Sequence, residues 1–342
     1  MKRTVSGLFV LALFFAFAGT AAAQGGEVLL NGAGATFPYP IYSKWFDVYK
    51  QKHSSIQINY QSIGSGGGIR QVIAGTVDFG ATDGPMKDDQ ISQVKTGVLH
   101  FPTVLGSVVP TYNIPGVTAE LNFTQAALAG IYLGKITKWN DAELTKANPG
   151  VNLPAQDIVV VHRSDGSGTT YIWVDFLCKV SKDWETKVGR DTSVNWPVGL
   201  GGKGNEGVSG LVKQTPSSIG YVELIYAVQN KLAYGKVQNK DGAFVKADLE
   251  ATTAAAAGAA KTMPEDFRVS ITNAPGKSAY PISSFTWLLI PTTISDATKR
   301  DTLKDFLKWM LNEGQSYASG LGYAPLPKEV VKAEEKAISK IK

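Results

Sequence analysis

Ile158-Val-Val-Val-His-Arg163-Ser-Asp165-Gly-Ser167-Gly168-Thr169-Thr170 passes from a β-branched run, through a glycine-rich turn, into the apolar helical pattern of residues 171–180. A short β-branched run bounded by turn residues reads as a buried strand. Apolar residues spaced three and four apart read as a helix. The same order occurs twice more. Residues 56–60 lead into Gly64-Ser65-Gly66-Gly67-Gly68 and then into the helical 69–74. Leu29-Leu30 leads into Asn31-Gly-Ala-Gly-Ala-Thr36-Phe37-Pro38 and then into a face of Ile41, Trp45, Val48 and Tyr49. Further short strands are expected at 76–79, 219–222 and 287–290, with a last helical face at Leu303, Phe306, Leu307 and Met310. Strands alternating with helices indicate an α/β protein whose sheets are covered on both faces. The Ala-rich stretch 251–260 reads as a surface helix or its connection, and no solenoid repeat or Pro/Ser-rich linker divides the chain.

Each of the three units ends a strand at a helix N-terminus, with Ser or Thr in the turn. There the first backbone N–H groups are unpaired and the helix dipole is positive, which favours an oxyanion. Glycine lets the backbone approach, and the hydroxyl adds a donor. One such turn alone reads as a helix cap. Three in one chain, one of them carrying Arg163 at a strand end, point to an anion site. A guanidinium there can clamp a tetrahedral anion with two parallel hydrogen bonds, and Asp165 two residues on can hold it in place.

In Phe79-Gly-Ala-Thr-Asp83-Gly-Pro a carboxylate ends a short strand in a turn. Alone it reads as an Asx turn or a cap. Facing the same anion as the three donor turns, it is repulsive unless the ligand carries a proton. Hydrogen phosphate and dihydrogen phosphate carry one, and arsenate resembles them; sulfate at neutral pH has none. Asp83 would then accept from phosphate and repel sulfate. A site built to pair such a group can reject an analogue lacking it by about 10⁴–10⁵-fold.

The remaining features exclude other chemistry. The 342 residues are 44% hydrophobic and 18% charged, a globular composition. At about 150 residues each, that length suggests roughly two domains. One cysteine excludes a disulfide framework or a thiolate zinc site. His53, His100 and His162 have no i,i+4 spacing, so we expect neither metal nor cofactor. Cys178 lies in an apolar helical run and reads as a small buried hydrophobe. The net charge of +5 is small and unclustered, which argues against nucleic acid. No P-loop is present. Gly199-Leu-Gly-Gly-Lys-Gly204 matches G-x-G-x-x-G but follows Trp196-Pro197, so it reads as a loop. Ser65 and Ser167 do not complete G-x-S-x-G, and three scattered histidines assemble no triad, so no enzyme is expected. Lys2 and Arg3, the apolar run 8–18 and Ala21-Ala22-Ala23 make residues 1–23 a cleavable secretory signal, too short in its apolar part to span a membrane. No cysteine follows it to carry a lipid anchor.

At these positions the sequence resembles the periplasmic phosphate-binding proteins of bacterial phosphate-specific ABC transporters. The resemblance lies in Gly32-Ala-Gly-Ala-Thr-Phe-Pro38, Gly64-Ser-Gly-Gly-Gly68, Val77-Asp-Phe-Gly-Ala81 with Asp83, and Asp165-Gly-Ser-Gly-Thr169. It continues in residues 131–139, in Trp196-Pro-Val-Gly-Leu-Gly-Gly-Lys-Gly204 and in Ile219-Gly-Tyr-Val-Glu223, covering nearly the whole mature chain. It implies a two-lobed periplasmic-binding-protein fold with a hinge and a ligand cleft between the lobes. Lobe one would be discontinuous (24–104 and 280–342), lobe two 105–279, with crossings near 101–105 and 279–283. The implied phosphate ligands are the hydroxyls of Thr36, Ser65, Ser167 and Thr169, the backbone N–H of Phe37 and Gly168, Asp83, and Arg163 oriented by Asp165. Gly66, Thr82 and His162 depart from residues common in relatives, which touches affinity more than identity. The implied protein is a periplasmic monomer that binds inorganic phosphate and passes it to a membrane ABC permease. Beside it stand a receptor for another oxyanion, of which Asp83 disfavours sulfate and molybdate but not arsenate, an exported phosphatase, and a signalling or adhesion role.

Overall fold

The structure, a computed structural model, describes residues 26–259 and 263–342. The expected leader, residues 1–23, lies outside the described residues. The strands are β1 (Val28–Gly34), β2 (Ile56–Ser62), β3 (Phe79–Thr82), β4 (Val98–Asn113), β5 (Asn122–Phe123), β6 (Val159–Arg163), β7 (Leu200–Gly202), β8 (Ser218–Glu223), β9 (Ala233–Tyr234), β10 (Lys236–Gln238), β11 (Phe244–Val245) and β12 (Ser283–Pro291). The helices that position the site are α1 (Tyr39–Lys52), α2 (Ser65–Ala74), α3 (Gly168–Val180), α4 (Gly204–Gln214) and α5 (Leu224–Gln229). Residues 251–256 of the Ala-rich stretch belong to a helix that starts at Leu249, and residue 260 lies outside the described residues.

One sheet runs in the order β2-β1-β3-β12-β4-β8-β6-β7, with β9 also paired to β4, and β11-β10-β5 form a small second sheet. β2, β1 and β3 are parallel on one side; β8, β6 and β7 are parallel on the other. The antiparallel β4 and β12 lie between them. Residues 98–107 of β4 pair with β12, and residues 108–113 pair with β8. One long strand thus joins two parallel α/β halves. β3 and β8 are buried along their whole length and β12 as far as Ile290, as strands covered on both faces must be.

Two local features differ from the sequence reading. The strand expected at 76–79 begins only at Phe79, where pairing with Gly32 starts. Asp78 instead anchors the preceding turn, accepting from the Asn31 N–H at 2.7 Å and ion-pairing with Lys299 at 2.9 Å. The segment 199–204, expected as a loop, holds β7, parallel to β6, and then opens α4.

Aromatic residues build the core of each half. Tyr42, Phe46, Tyr60, Phe79 and Phe306 interlock against β1–β3. Tyr132, Trp173, Trp196 and Tyr221 do the same beside β6 and β8. Each such ring buries a large apolar area, and edge and offset stacking adds to that. Cys178 is half-buried against this second core rather than fully buried, and burial raises its thiol above the usual range.

Candidate functional site

The three strand–turn–helix units converge where the two halves of the sheet face each other, and a fourth joins them. α1 begins just after Thr36-Phe37, α2 at Ser65, α3 at Gly168 and α4 at Gly204. The Gly66 N–H donates to the Gly166 carbonyl across the junction at 2.8 Å. Glycine is obligatory at two of these starts. A Cβ on Gly68 would lie 2.6 Å from Gly34 Cα, so only glycine lets α2 settle on β1. A Cβ on Gly168 would lie 2.4 Å from both Asp83 Oδ2 and Ser65 Oγ, so only glycine lets the α3 N-terminus approach those groups.

Thr36, Phe37, Ser65, Asp83, Arg163, Ser167 and Thr169 are all buried. Arg163 ends β6, with its side chain 1% exposed. Its Nε and Nη2 donate to the two oxygens of Asp165 at 2.7 and 2.6 Å, the bidentate arrangement expected for this pair. Nη1 donates to Thr169 Oγ1 at 3.4 Å. Three of five guanidinium N–H groups are thereby engaged within the protein, which leaves two for an anion. Burial acts to raise Asp165, but the hydrogen bonds and charge of Arg163, with the Gly204 N–H, outweigh it and hold this carboxyl below its usual range.

The hydroxyls share one arrangement. Ser167 Oγ accepts from the Thr170 N–H at 3.0 Å and so caps α3. Ser65 Oγ accepts from the Asp83 N–H at 3.2 Å. Thr36 Oγ1 accepts from Asn205 Nδ2 at 2.8 Å, and Thr169 Oγ1 accepts from the same nitrogen at 3.1 Å. The Phe37 carbonyl accepts from Tyr323 Oη at 2.6 Å, and the Thr36 carbonyl from Tyr226 Oη at 2.6 Å, which fixes the turn that presents the Phe37 N–H.

Asp83 is the carboxylate that meets the Ser65 and Thr286 hydroxyls. It is 1% exposed, its Oδ1 accepts from Thr286 Oγ1 at 2.7 Å, and Ser65 Oγ lies 3.5 Å from Oδ2, at the limit of hydrogen bonding. Burial pushes its pKa up to about 7, against the hydrogen bond of Thr286, the charge of Arg163 and Ser65. Deeper at the junction, Glu223 ends β8 and caps α5, its Oε2 accepting from the Ile225 N–H at 2.9 Å. Burial holds this carboxyl well above its usual range.

At the outer edge of the junction, Lys87 pairs with Asp191 at 2.7 Å. Arg268 reaches Asp88 at 2.7 Å and the Met86 carbonyl at 2.9 Å. Exposed pairs of this kind contribute little each. His162 takes no part in the site: it stacks on Trp196, ring centroids 4.8 Å apart, with Nδ1 3.0 Å from the Arg163 carbonyl.

All eight residues expected to face the anion, with Asp165 behind Arg163, lie at this one junction. Sequence reasoning missed Asn205 and Thr286. Asn205 directly follows the 199–204 segment, whose three-residue strand is mostly glycine and carries no β-propensity signal. Thr286 is a hydroxyl inside an otherwise apolar run that ends in Trp-Leu-Leu-Ile290. A bulge beside it, where Thr286 pairs with Val104 and Trp287 with Pro102, leaves Thr103 unopposed. Pro102 has no N–H to give that ladder, and bulges re-aim side chains near sites.

Residues 19–313 match the family described as PBP superfamily domain. The chain is 47% identical over 315 residues to Phosphate-binding protein PstS of Xylella fastidiosa (strain Temecula1), covering 92% of this chain and 86% of that protein. It is 45% identical over 329 residues to Phosphate-binding protein PstS of Pasteurella multocida, covering 96% and 94%. Among solved structures, a phosphate binding protein from Stenotrophomonas maltophilia superposes with a TM-score of 0.66 over 90% of this chain and 93% of that one. At 20% identity, that likeness speaks to the fold.

Proposed function

The chain belongs to the phosphate-binding proteins of the PBP superfamily, and on that footing we propose that it captures inorganic phosphate between two lobes and delivers it to a membrane ABC permease. It is a transport receptor and not an enzyme: the ligand is bound and released with no bond made or broken. One observation carries the choice of ligand. The junction offers hydroxyl, N–H and guanidinium donors on every side, and, with Asp165 engaged by Arg163 and Glu223 capping α5, it leaves Asp83 as the carboxylate acceptor. A ligand that satisfies such a site is an oxyanion bearing one proton.

The roles follow from that match. Arg163 gives its two free N–H groups to phosphate oxygens, held in place by Asp165. Thr36, Ser65, Ser167 and Thr169 donate hydroxyls, and Phe37 and Gly168 donate backbone N–H. Asp83 accepts the phosphate proton. Residues 24–104 and 280–342 form the first lobe and 105–279 the second, so that Thr36, Ser65 and Asp83 close against Arg163 and 167–169. The buried charges then lose water on closure, and an anion that leaves one of them unpaired forfeits several kcal/mol. All of these groups come from one chain, which fits a monomer. Residues 1–23 act as a cleaved signal that sends the protein to the periplasm. No described helix is long and apolar enough to cross a membrane.

The test is calorimetric titration of the phosphate-stripped protein with phosphate and sulfate at pH 8. Phosphate binding far tighter than sulfate supports the reading. Equal binding of the two removes Asp83 from the selection, and no binding of either rejects the receptor role.

A further inference from the structure

We infer that Asn205 is a positioning residue: its side-chain amide decides where the hydroxyl protons of Thr36 and Thr169 point and makes both groups obligate donors to the bound anion. The inference rests on phosphate occupying this site.

Asn205 is fully buried in the first turn of α4. The Glu223 N–H donates to its Oδ1 at 3.1 Å. A backbone N–H can only donate, so the amide oxygen must face Glu223 and the NH₂ must face the other way. There the two Nδ2 hydrogens go to Thr36 Oγ1 at 2.8 Å and to Thr169 Oγ1 at 3.1 Å, hydroxyls on opposite sides of the junction. Each hydroxyl has two lone pairs and one proton. Thr36 Oγ1 also accepts from the Asn205 N–H at 3.4 Å, and Thr169 Oγ1 from Arg163 Nη1 at 3.4 Å. Both lone pairs of both hydroxyls therefore face groups that can only donate. The one capacity left to each is its O–H, directed away from Asn205. With a freely rotating hydroxyl, either threonine could accept the proton of a phosphate or turn its lone pairs on an anion. With Asn205 in place neither can, and Asp83 remains the acceptor that reads the ligand's proton.

A double-mutant cycle separates this role from a structural one. Phosphate affinity is measured by calorimetry for the wild type, Asn205→Ala, Thr36→Val/Thr169→Val, and the triple variant. If Asn205 acts through the two hydroxyls, Asn205→Ala weakens phosphate on the order of 10–100-fold in the wild type and less than about threefold in the valine background. An equal factor in both backgrounds overturns the inference while leaving the receptor reading intact. A wild type that does not bind phosphate overturns both. Asn205→Ala leaves the Glu223 N–H without its partner, so a measurement on the unaltered chain accompanies it. Neutron diffraction from the deuterated phosphate complex is expected to place both threonine deuterons toward phosphate. Either deuteron aimed at Asn205 refutes the inference whatever the variants do.

Discussion

Asp83 determines how selectivity should change with pH. Its burial raises the carboxyl from 3.8 to about 7, a differential cost of about 4 kcal/mol for the ionised form in the ligand-free protein. Sulfate brings no proton, so it can bind only beside protonated Asp83, which then donates to it. With a pKa of about 7, roughly half of the molecules hold that proton at pH 7 and about 1% at pH 9. The sulfate Kd should therefore rise about 50-fold between pH 7 and 9, approaching tenfold per unit. Phosphate carries its own proton across that range, and its Kd should stay within about threefold. Titration calorimetry in two buffers of different ionisation enthalpy counts the protons directly. Sulfate should take up nearly one at pH 9, and phosphate close to none. In Asp83→Asn the sulfate Kd should lose its pH dependence. The reasoning is wrong if wild-type sulfate affinity is flat from pH 7 to 9, or if sulfate fails to bind even at pH 6, where Asp83 is mostly protonated.

Three further outcomes are expected. Gly168→Ala places a Cβ 2.4 Å from Asp83 Oδ2 and Ser65 Oγ, and overpacking of that kind should weaken phosphate by tens of fold in the same titration. Wild-type affinity in this variant would mean the α3 N-terminus does not approach those groups. Asp165→Asn removes the charge that holds the buried Arg163 guanidinium at 2.6–2.7 Å, and should lower urea stability by about 2 kcal/mol together with phosphate affinity; an unchanged variant would show the pair to be incidental. The ligand-free protein should lose stability from about pH 5 to 8, with buried His100, pushed down to about 3, opposing that loss only below about pH 6.5. Asp83, Glu223 and Glu334 have raised folded-state values, so the folded protein binds more protons than the unfolded chain above about pH 4 and loses stability as pH climbs through 7. Asp165 and Asp175 have lowered values, so their contribution is lost only as pH falls below about 4. Urea midpoints that rise steadily from pH 5 to 8 would contradict that sign. Glu334→Gln should flatten the decline, since both Glu334 carboxylate oxygens are buried without a partner.

The legible parts of this protein are those written in local chemistry. A β-branched run before Arg163 and a Ser-Gly-Thr turn before an apolar helix announce a strand, a cap and an anion-ready N-terminus within thirteen residues. Ser65 and Thr36 follow the same grammar, so their convergence could be argued from type alone. Asp83 was legible as a carboxylate in a turn, but its protonation was not. Its raised pKa comes from complete burial, which outweighs the opposing hydrogen bond from Thr286, 203 residues away in sequence. Asn205 was hidden for a related reason. Its contacts are with Thr36 and Thr169, 169 and 36 residues distant, and the strand before it, β7, is too short and glycine-rich to give a periodic signal. The first residues of β3 were misplaced because Val77 and Phe79 alternate like a strand while Asp78 is tied to Asn31 and Lys299 in the turn.

The most direct test of the central claim is a crystal structure of the phosphate complex. The account predicts one phosphate within hydrogen-bond distance of Arg163, of the Thr36, Ser65, Ser167 and Thr169 hydroxyls and of the Phe37 and Gly168 N–H groups. It also predicts a short contact from a phosphate oxygen to Asp83 Oδ2. Phosphate bound elsewhere, or bound here with Asp83 turned away from it, would contradict the account.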